Sequence, residues 1–403
     1  MKLVSAVTIS ALLLGGTSPA AAEISNGVVK IGILNDQSSL FADATGQGSV
    51  VAAKLAIEDF EAKHPDIKVE LLTADHQNKA DVGSAIARRW RDVDNIDAIV
   101  DVPNSAVALA LNELLRGSRV AFLPSSAAST DLTGPACSPN TVQWVFDTYA
   151  LANSTGRAVT KNGGDSWFFV TTNFAFGTSL ESEATKVIQA NGGKVIGSVK
   201  HPLNTSDFSS FLLAAQTSGA RIIGLANVGG DTINALKQAA EFGVGKSDKQ
   251  RIAALLIFIN DVHALGLPSA QGLLLTTAFY WDLNEKTREW SKRFYAQNGN
   301  KMPNMNHAGV YSTVRAYLEA VARKNSDDGR EVVEEMKRAE IDDPLFAHVK
   351  VRPDGRTIHD MYLARVKTPA QSNRPWDYYE ILSTIPADEA FKPLSEGNCP
   401  MVK

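Results

Sequence analysis

The chain has 403 residues, 44% of them hydrophobic and 21% charged, with a formal net charge of −4 at pH 7. That is ordinary globular material, long enough for two cores rather than one. A mildly acidic total without a compensating basic stripe argues against nucleic acid as a partner, and two cysteines are too few ligands for a metal.

Lys2, the apolar run from Leu3 to Gly15 and Ala20-Ala21-Ala22 read as a charged n-region, a short h-region and an A-x-A cleavage site. The h-region is too short to span a bilayer. Residues 1–22 are therefore expected to be a secretory signal peptide, with the mature chain starting at Glu23. No cysteine follows the apolar core, so the product is expected to be exported, soluble and free of a lipid anchor. In that compartment Cys137 and Cys399 are expected to form one disulfide tying the C-terminal tail to the body, with two unpaired thiols as the alternative.

Val28–Leu34 reads as a first strand, followed by a polar loop from Asn35 to Thr45 that holds Leu40 and Phe41. From Gly48 to Lys63 apolar residues such as Val51, Leu55 and Phe60 recur at helical spacing, and Pro65 stops the helix. Val69–Thr73 is a second strand and Ala80–Val93 a second amphipathic helix. The pattern is interrupted around Thr141–Ala150 and then resumes. Strands are predicted over Ser166–Thr171, Lys194–Val199, Arg221–Ala226 and Ile252–Ile259, with helices over Gly177–Asn191, Phe208–Ser218 and Thr232–Phe242 between them. Repeated βα units imply parallel sheets with right-handed crossovers. Beyond a strand at Gln271–Thr277, helices follow over Leu283–Gln297, His307–Lys324 and Glu331–Ala339. Val349–Val366 reads as a hairpin turning at Pro353–Arg356, and the tail from Thr368 as a surface wrap fixed by Cys399.

The stretch from Ala98 to Thr130 carries the functional signal. Two apolar β runs end in Val102-Pro103-Asn104-Ser105 and in Pro124-Ser125-Ser126-Ala127. Consecutive strands of a parallel sheet deliver such ends to one edge, where free N–H groups at a helix start attract an anion such as a carboxylate. Asn104 or Ser105 reads equally well as a plain N-cap. If they are ligand contacts, replacing Asn104 and Ser125 by alanine weakens carboxylate binding and leaves melting unchanged.

No reaction chemistry accompanies this edge. The glycines at 46 and 48 come too late after their strand, and lack the third member, for a dinucleotide fingerprint. Gly245-Lys246-Ser247 has Ala240 where a P-loop opens, and it follows a helix. The seven histidines show no H-E-x-x-H spacing, no G-x-S-x-G elbow is present, and Cys137 lies in a Gly-Pro-Ala-Cys-Ser-Pro loop without catalytic context. The chain carries parts for a pocket and none for an enzyme, a metal centre or a cofactor site.

The order of segments does resemble a known family. Val-Lys-Ile-Gly-Ile-Leu leads to Gly46 and Ala-Ile-Glu-Asp-Phe; then come Leu123–Ala127, Phe176-Gly177, Asp207-Phe208, Leu236–Ala239 and Ala270–Leu273. In that order they resemble type I periplasmic substrate-binding proteins of ABC importers, typified by the Leu/Ile/Val-binding proteins. Ala-Asp-His-Gln-Asn-Lys, Gly-Gly-Asp-Ser-Trp-Phe-Phe and Phe-Tyr-Trp-Asp-Leu-Asn are similar to a subgroup that includes binders of aromatic carboxylates. The resemblance implies an α/β fold of two Rossmann-like lobes, 23–146 plus 276–348 and 147–275 plus 349–403, joined by a three-segment hinge. It places a ligand carboxylate at Asn104, Ser105, Ser125, Ser126 and the N–H of Ala127. Thr45 stands near the family's first-loop aromatic, so Phe41 is expected to supply the ring. Phe176 stands for the Tyr of the second lobe, and Asn227, Val228 and Asp231 for the residues that clasp the ligand.

In amino-acid binders an acidic residue holds the ligand ammonium; here that strand end reads Phe258-Ile259-Asn260-Asp261. If Asp261 faces away, the cleft has no counter-ion for an amine, and an unpaired buried charge is costly. Phe41, Phe174, Phe176 and Tyr280 then offer surfaces for an aromatic ring, although core packing competes for each. The expectation is a periplasmic monomer that passes a small carboxylate, an aromatic acid ahead of a branched-chain amino acid, to a membrane permease. A sensor docking on a signalling partner, and a hydrolase using Cys137, are the other readings.

Overall fold

A computed structural model describes residues 24–247 and 249–402; the leader expected over residues 1–22 lies outside them. β1 (Val28–Asn35), α1 (Gly46–Glu61), β2 (Lys68–Asp75), α2 (Ala80–Arg89), β3 (Ala98–Asp101), α3 (Ser105–Leu115) and β4 (Ala121–Leu123) alternate along the first third of the chain. They form a parallel sheet in the order β2-β1-β3-β4. The interior strand β3 is buried throughout, whereas β2 at the edge alternates between more and less exposed positions, as period-2 side-chain geometry requires.

An extended segment then runs beside β4, with Val142 N–H donating to the Phe122 carbonyl, and reaches α4 (Thr148–Leu151) and α5 (Arg157–Lys161). The second βα series comprises β5 (Ser166–Thr172), α6 (Ala175–Ala190), β6 (Lys194–His201), α7 (Ser209–Thr217), β7 (Ile222–Ala226) and α8 (Gly230–Phe242). It closes with a short antiparallel pair, β8 (Lys246–Ser247) and β9 (Gln250–Ala254). Its order is β6-β5-β7-β9-β8, so the two lobes share one strand permutation and place their switch points alike.

The strand predicted to run from Ile252 to Ile259 stops at Ala254. Residues 255–258 remain buried beyond the strand, Leu255 N–H still reaching the Leu225 carbonyl of β7 at 3.2 Å, and Asp261 Oδ2 accepts the Phe258 N–H at 2.8 Å to open α9 (Ile259–Leu265), followed by α10 (Leu267–Ala270). That local cap overrides the apolar run that read as strand.

The chain returns through β10 (Leu274–Thr277) to α11 (Glu285–Gln297), α12 (Met305–Lys324) and α13 (Gly329–Arg338), which pack onto the first lobe, α12 along α1 and α13 against β4. The predicted hairpin is shorter than expected, limited to β11 (Lys350–Val351) and β12 (Thr357–Ile358). β13 (Met361–Val366) instead lies between β10 and β14 (Tyr379–Ile385), so the tail contributes a strand rather than only wrapping the surface. α14 (Ala387–Ala390) follows, and Cys399 bonds Cys137 across 262 residues with Cα atoms 5.7 Å apart.

Arg356, 1% exposed, fastens the connecting segments. Its guanidinium donates to the carbonyls of Trp144 and Phe146, stands 3.7 Å from Asp147 and lies 4.6 Å over the Phe391 ring. Burial lowers its pKa to about 10. Among the described residues no helix is long and apolar enough to cross a membrane.

Candidate functional site

The carboxyl ends of β1, β3, β4, β5, β7 and β9 converge on one cavity between the lobes, the place where ligands bind in doubly wound sheets. In this shut form little free space remains between the walls, which are Phe41, Ala44, Thr45, Pro103, Ser126, Ala128, Phe146, Phe174, Phe176, Val228, Leu256, Phe258 and Asn306. Five of these are phenylalanines, and none carries a charge.

The cleft is shut in this structure. Gly229 adopts φ +60°, and a Cβ there would stand 2.9 Å from the Leu40 carbonyl oxygen and 3.3 Å from Phe41 Cδ1 of the opposite lobe. Asn304 Nδ2 reaches Asn260 Oδ1 at 2.7 Å, and the Thr130 and Ser179 hydroxyls stand 3.4 Å apart.

The β3 end is bent into an unusual conformation. Asp101 and Val102 both have positive φ, +80° and +48°, and both are fully buried. A β-branched residue in that region is a true outlier, and such strain concentrates at ligand clamps. The bend turns the Asp101 carboxylate into the lobe. There Ser126 Oγ donates to it at 2.6 Å, Asn35 Nδ2 at 3.0 Å and Ser125 Oγ at 3.4 Å. Burial raises the Asp101 pKa, while the serine and asparagine donors oppose the shift.

Of the residues singled out in the sequence, Phe41, Thr45, Ser126, Phe174, Phe176 and Val228 line the cavity. The others hold the frame in this geometry. Asn104 caps α3, its Oδ1 accepting the N–H groups of Ala106 and Val107 at 2.9 and 3.2 Å. Ser105 Oγ accepts from the N–H groups of Ala128 and Ser129. The Ser125 hydroxyl faces Asp101, and Ala127 is buried in the cluster under β3 and β4, where its carbonyl accepts from Gln143. Asn104 and Ser125 therefore have hydrogen-bond partners of their own inside the lobe, and losing them is expected to act on stability as well as on binding.

In the second lobe Asn227 Oδ1 accepts the Thr232 hydroxyl at 2.8 Å, and Asp231 accepts the N–H groups of Asn204 and Thr205 at 3.1 and 2.9 Å. Burial lifts Asp231 to about 6, against those two backbone donors. Asp261 is spent on the α9 start, and burial lifts it to about 7. Tyr280 packs on Tyr379 with its hydroxyl 3.4 Å from Asp377, below the cleft rather than in it. Neither Asp231 nor Asp261 lines the cavity.

Sequence reasoning did not single out Ala44, Pro103, Ala128, Phe146, Leu256, Phe258 or Asn306 as wall residues. Pro103 and Ala128 adjoin residues that were named. Phe146 and Asn306 arrive from distant segments with no local signature. His307, next to Asn306, is neutral: its Nδ1 accepts the Asn304 N–H at 3.2 Å, its Nε2 meets the Thr45 carbonyl at 3.2 Å, and burial lowers its pKa to about 4. Among the described residues no group of three or more His, Cys, Asp or Glu is placed to hold a metal.

The family model described as periplasmic binding protein matches residues 28–373. A periplasmic binding protein from Burkholderia mallei is 47% identical over 94% of this chain and all of its own, with a TM-score of 0.91. A branched chain amino acid ABC transporter periplasmic ligand-binding protein from Burkholderia xenovorans LB400 is 39% identical over 93% of this chain and all of its own, with a TM-score of 0.83. A solute binding protein of an ABC transporter from R. palustris, solved in complex with benzoate, shares the fold at 18% identity and a TM-score of 0.79, over 90% of this chain and 97% of its own. Twin parallel sheets of one strand order, a shared cleft and these matches agree: the chain belongs to the periplasmic binding protein family, in the type I, Leu/Ile/Val-binding-like branch.

Proposed function

We propose that this protein is the periplasmic substrate-binding component of an ABC importer, that it carries a small aromatic carboxylate to a membrane permease, and that it releases its guest unchanged. The observation that carries the choice of ligand is the wall itself: five phenylalanines and no acidic side chain. A flat ring gains edge-to-face and stacked contacts there. An α-ammonium would be buried without a counter-ion, which costs several kcal/mol. The benzoate held by the R. palustris neighbour is a ligand of this chemistry.

In this reading Phe41, Phe174, Phe176 and Val228 hold the ring. The Ala127 N–H of the turn after β4 takes the carboxylate, because the Ser125 and Ser126 hydroxyls already face Asp101 and the Ala128 and Ser129 N–H groups already donate to Ser105 Oγ. The guest binds the closed form better than the open one, as any ligand that drives closure must. The protein acts as a monomer.

A branched-chain amino acid is the second reading, favoured by the B. xenovorans relative, a ligand-binding protein of a branched chain amino acid transporter. Thermal melting against a panel of benzoates and aliphatic amino acids separates them, since a selective ligand raises apparent stability by mass action. A rise with an aromatic acid and none with leucine is expected; the reverse overturns the proposal.

A further inference from the structure

We infer that Asn306 selects the guest by a hydrogen-bond donor on its ring, so that the preferred ligand is a hydroxylated aromatic acid rather than the plain one. This rests on reading the cavity as an aromatic-acid site and adds the ring substituent.

Asn306 lines the cavity, is 2% exposed, and its Oδ1 has no hydrogen-bond partner in the protein. The orientation of its amide is fixed by chemistry. Nδ2 donates to the Ala44 carbonyl at 3.2 Å, and the same carbonyl accepts Asn304 Nδ2 at 2.9 Å. Reversing the amide would set the oxygen of Asn306 against that carbonyl oxygen. The backbone beneath is fixed as well, because the Asn306 N–H donates to Asn304 Oδ1 at 2.9 Å. Swinging the oxygen away would cost the Nδ2 bond to the Ala44 carbonyl.

The other polar side chains of the wall do not satisfy this oxygen. Thr45 donates its hydroxyl to the Phe41 carbonyl at 3.1 Å, and Ser126 donates to Asp101. What the polar side chains of the wall leave over is therefore one acceptor, the oxygen of Asn306. A carboxylate cannot meet that need, and a bare ring leaves the oxygen buried and unpaired, which is the expensive outcome for a polar group. A neutral hydroxyl meets it with one bond. An ammonium would supply donors but bring a charge into a wall that has no carboxylate. Hydroxyl on an aromatic acid is the class that remains.

The test measures dissociation constants for benzoate, 3-hydroxybenzoate and 4-hydroxybenzoate by calorimetry on the exported protein. Asn306→Leu and the smaller Asn306→Ala are measured beside it, with the melting of each unliganded variant as a folding control. The wild type is expected to bind at least one hydroxylated acid on the order of 10- to 100-fold more tightly than benzoate. Both variants are expected to erase that difference by losing affinity for the hydroxylated acid while keeping or improving affinity for benzoate. Benzoate binding as tightly as both hydroxylated acids, or a variant that weakens all three equally, overturns the role of Asn306 and leaves the aromatic-acid reading standing. Binding of none of the three by a protein that binds leucine overturns that reading, and this inference with it.

Discussion

Ser126 donates its hydroxyl to Asp101 at 2.6 Å, and that bond joins the turn after β4 to the strained end of β3. Asp101 is fully buried, and serine and asparagine side chains, rather than a cation, are what oppose its rise in pKa. Two neighbouring loops of the cleft are therefore held by one neutral-to-acid network.

The first prediction concerns that network. Ser126→Ala removes a donor from a buried carboxylate and should cost about 1–3 kcal/mol in urea unfolding. Asn104→Ala removes the α3 cap and should cost about 1 kcal/mol. Unchanged unfolding midpoints for both would show that these side chains do not hold the frame.

Closure is testable at Gly229. Its φ of +60° suits glycine, and an added methyl would press on the Leu40 carbonyl of the facing lobe. Gly229→Ala should weaken ligand binding by opposing the shut form, and small-angle scattering with saturating ligand should report a larger radius than for the wild type. Wild-type affinity and radius would count against a tight approach here.

The stability curve has a sign that can be worked out. Burial raises Asp97 and Asp261 to about 7 and Asp231 to about 6, above the 3.8 of the unfolded chain. The stability these groups contribute is full below about pH 4 and is lost as pH rises through 6–7. Burial lowers His76, His307 and His359 from 6.5 to about 4, so their contribution is full above 6.5 and is lost as pH falls through about 4. Between pH 8 and 6.5 the acids alone act, and melting should rise as pH falls. Asp261→Asn keeps an acceptor for the Phe258 N–H and should melt at or above the wild type at pH 8, with the advantage shrinking toward pH 5.5. A constant difference across that range would contradict the burial of a charge at this position.

The disulfide closes a loop of 262 residues, and removing it should cost about 2–5 kcal/mol. Cys399→Ser should also expose the tail beyond α14 to proteolysis before the lobes are cut. Equal melting of the variant and the oxidised wild type would leave the bond without a stabilising role.

The alternation of strands and helices was legible because each βα unit carries its own evidence: an apolar run, a polar break and a 3.6-residue stripe. Phe174 and Phe176 stood out for the same reason, flanking a strand-to-helix turn whose position the pattern marks. Leu256 and Phe258 did not, because an apolar run at a strand end looks the same whether it continues the ladder or leaves it to line a cavity. Only the Asp261 side chain, three residues on, decides between the two. Asn306 was hidden behind Asn304, whose capping role explains the local sequence by itself. Phe146 belongs to a crossing segment held by Arg356, 210 residues later, a relation no local window contains. Asn104 was legible as a cap or as a ligand contact, and its geometry here is that of the cap.

The C-terminal strand and Cys399 impose an order of events on biosynthesis. β13 lacks one neighbour until Tyr379–Ile385 emerges, and Cys137 waits for a partner that is made almost last. The last cross-link of the chain can therefore close only after Cys399 has joined it, and whatever folds earlier does so without that covalent tie.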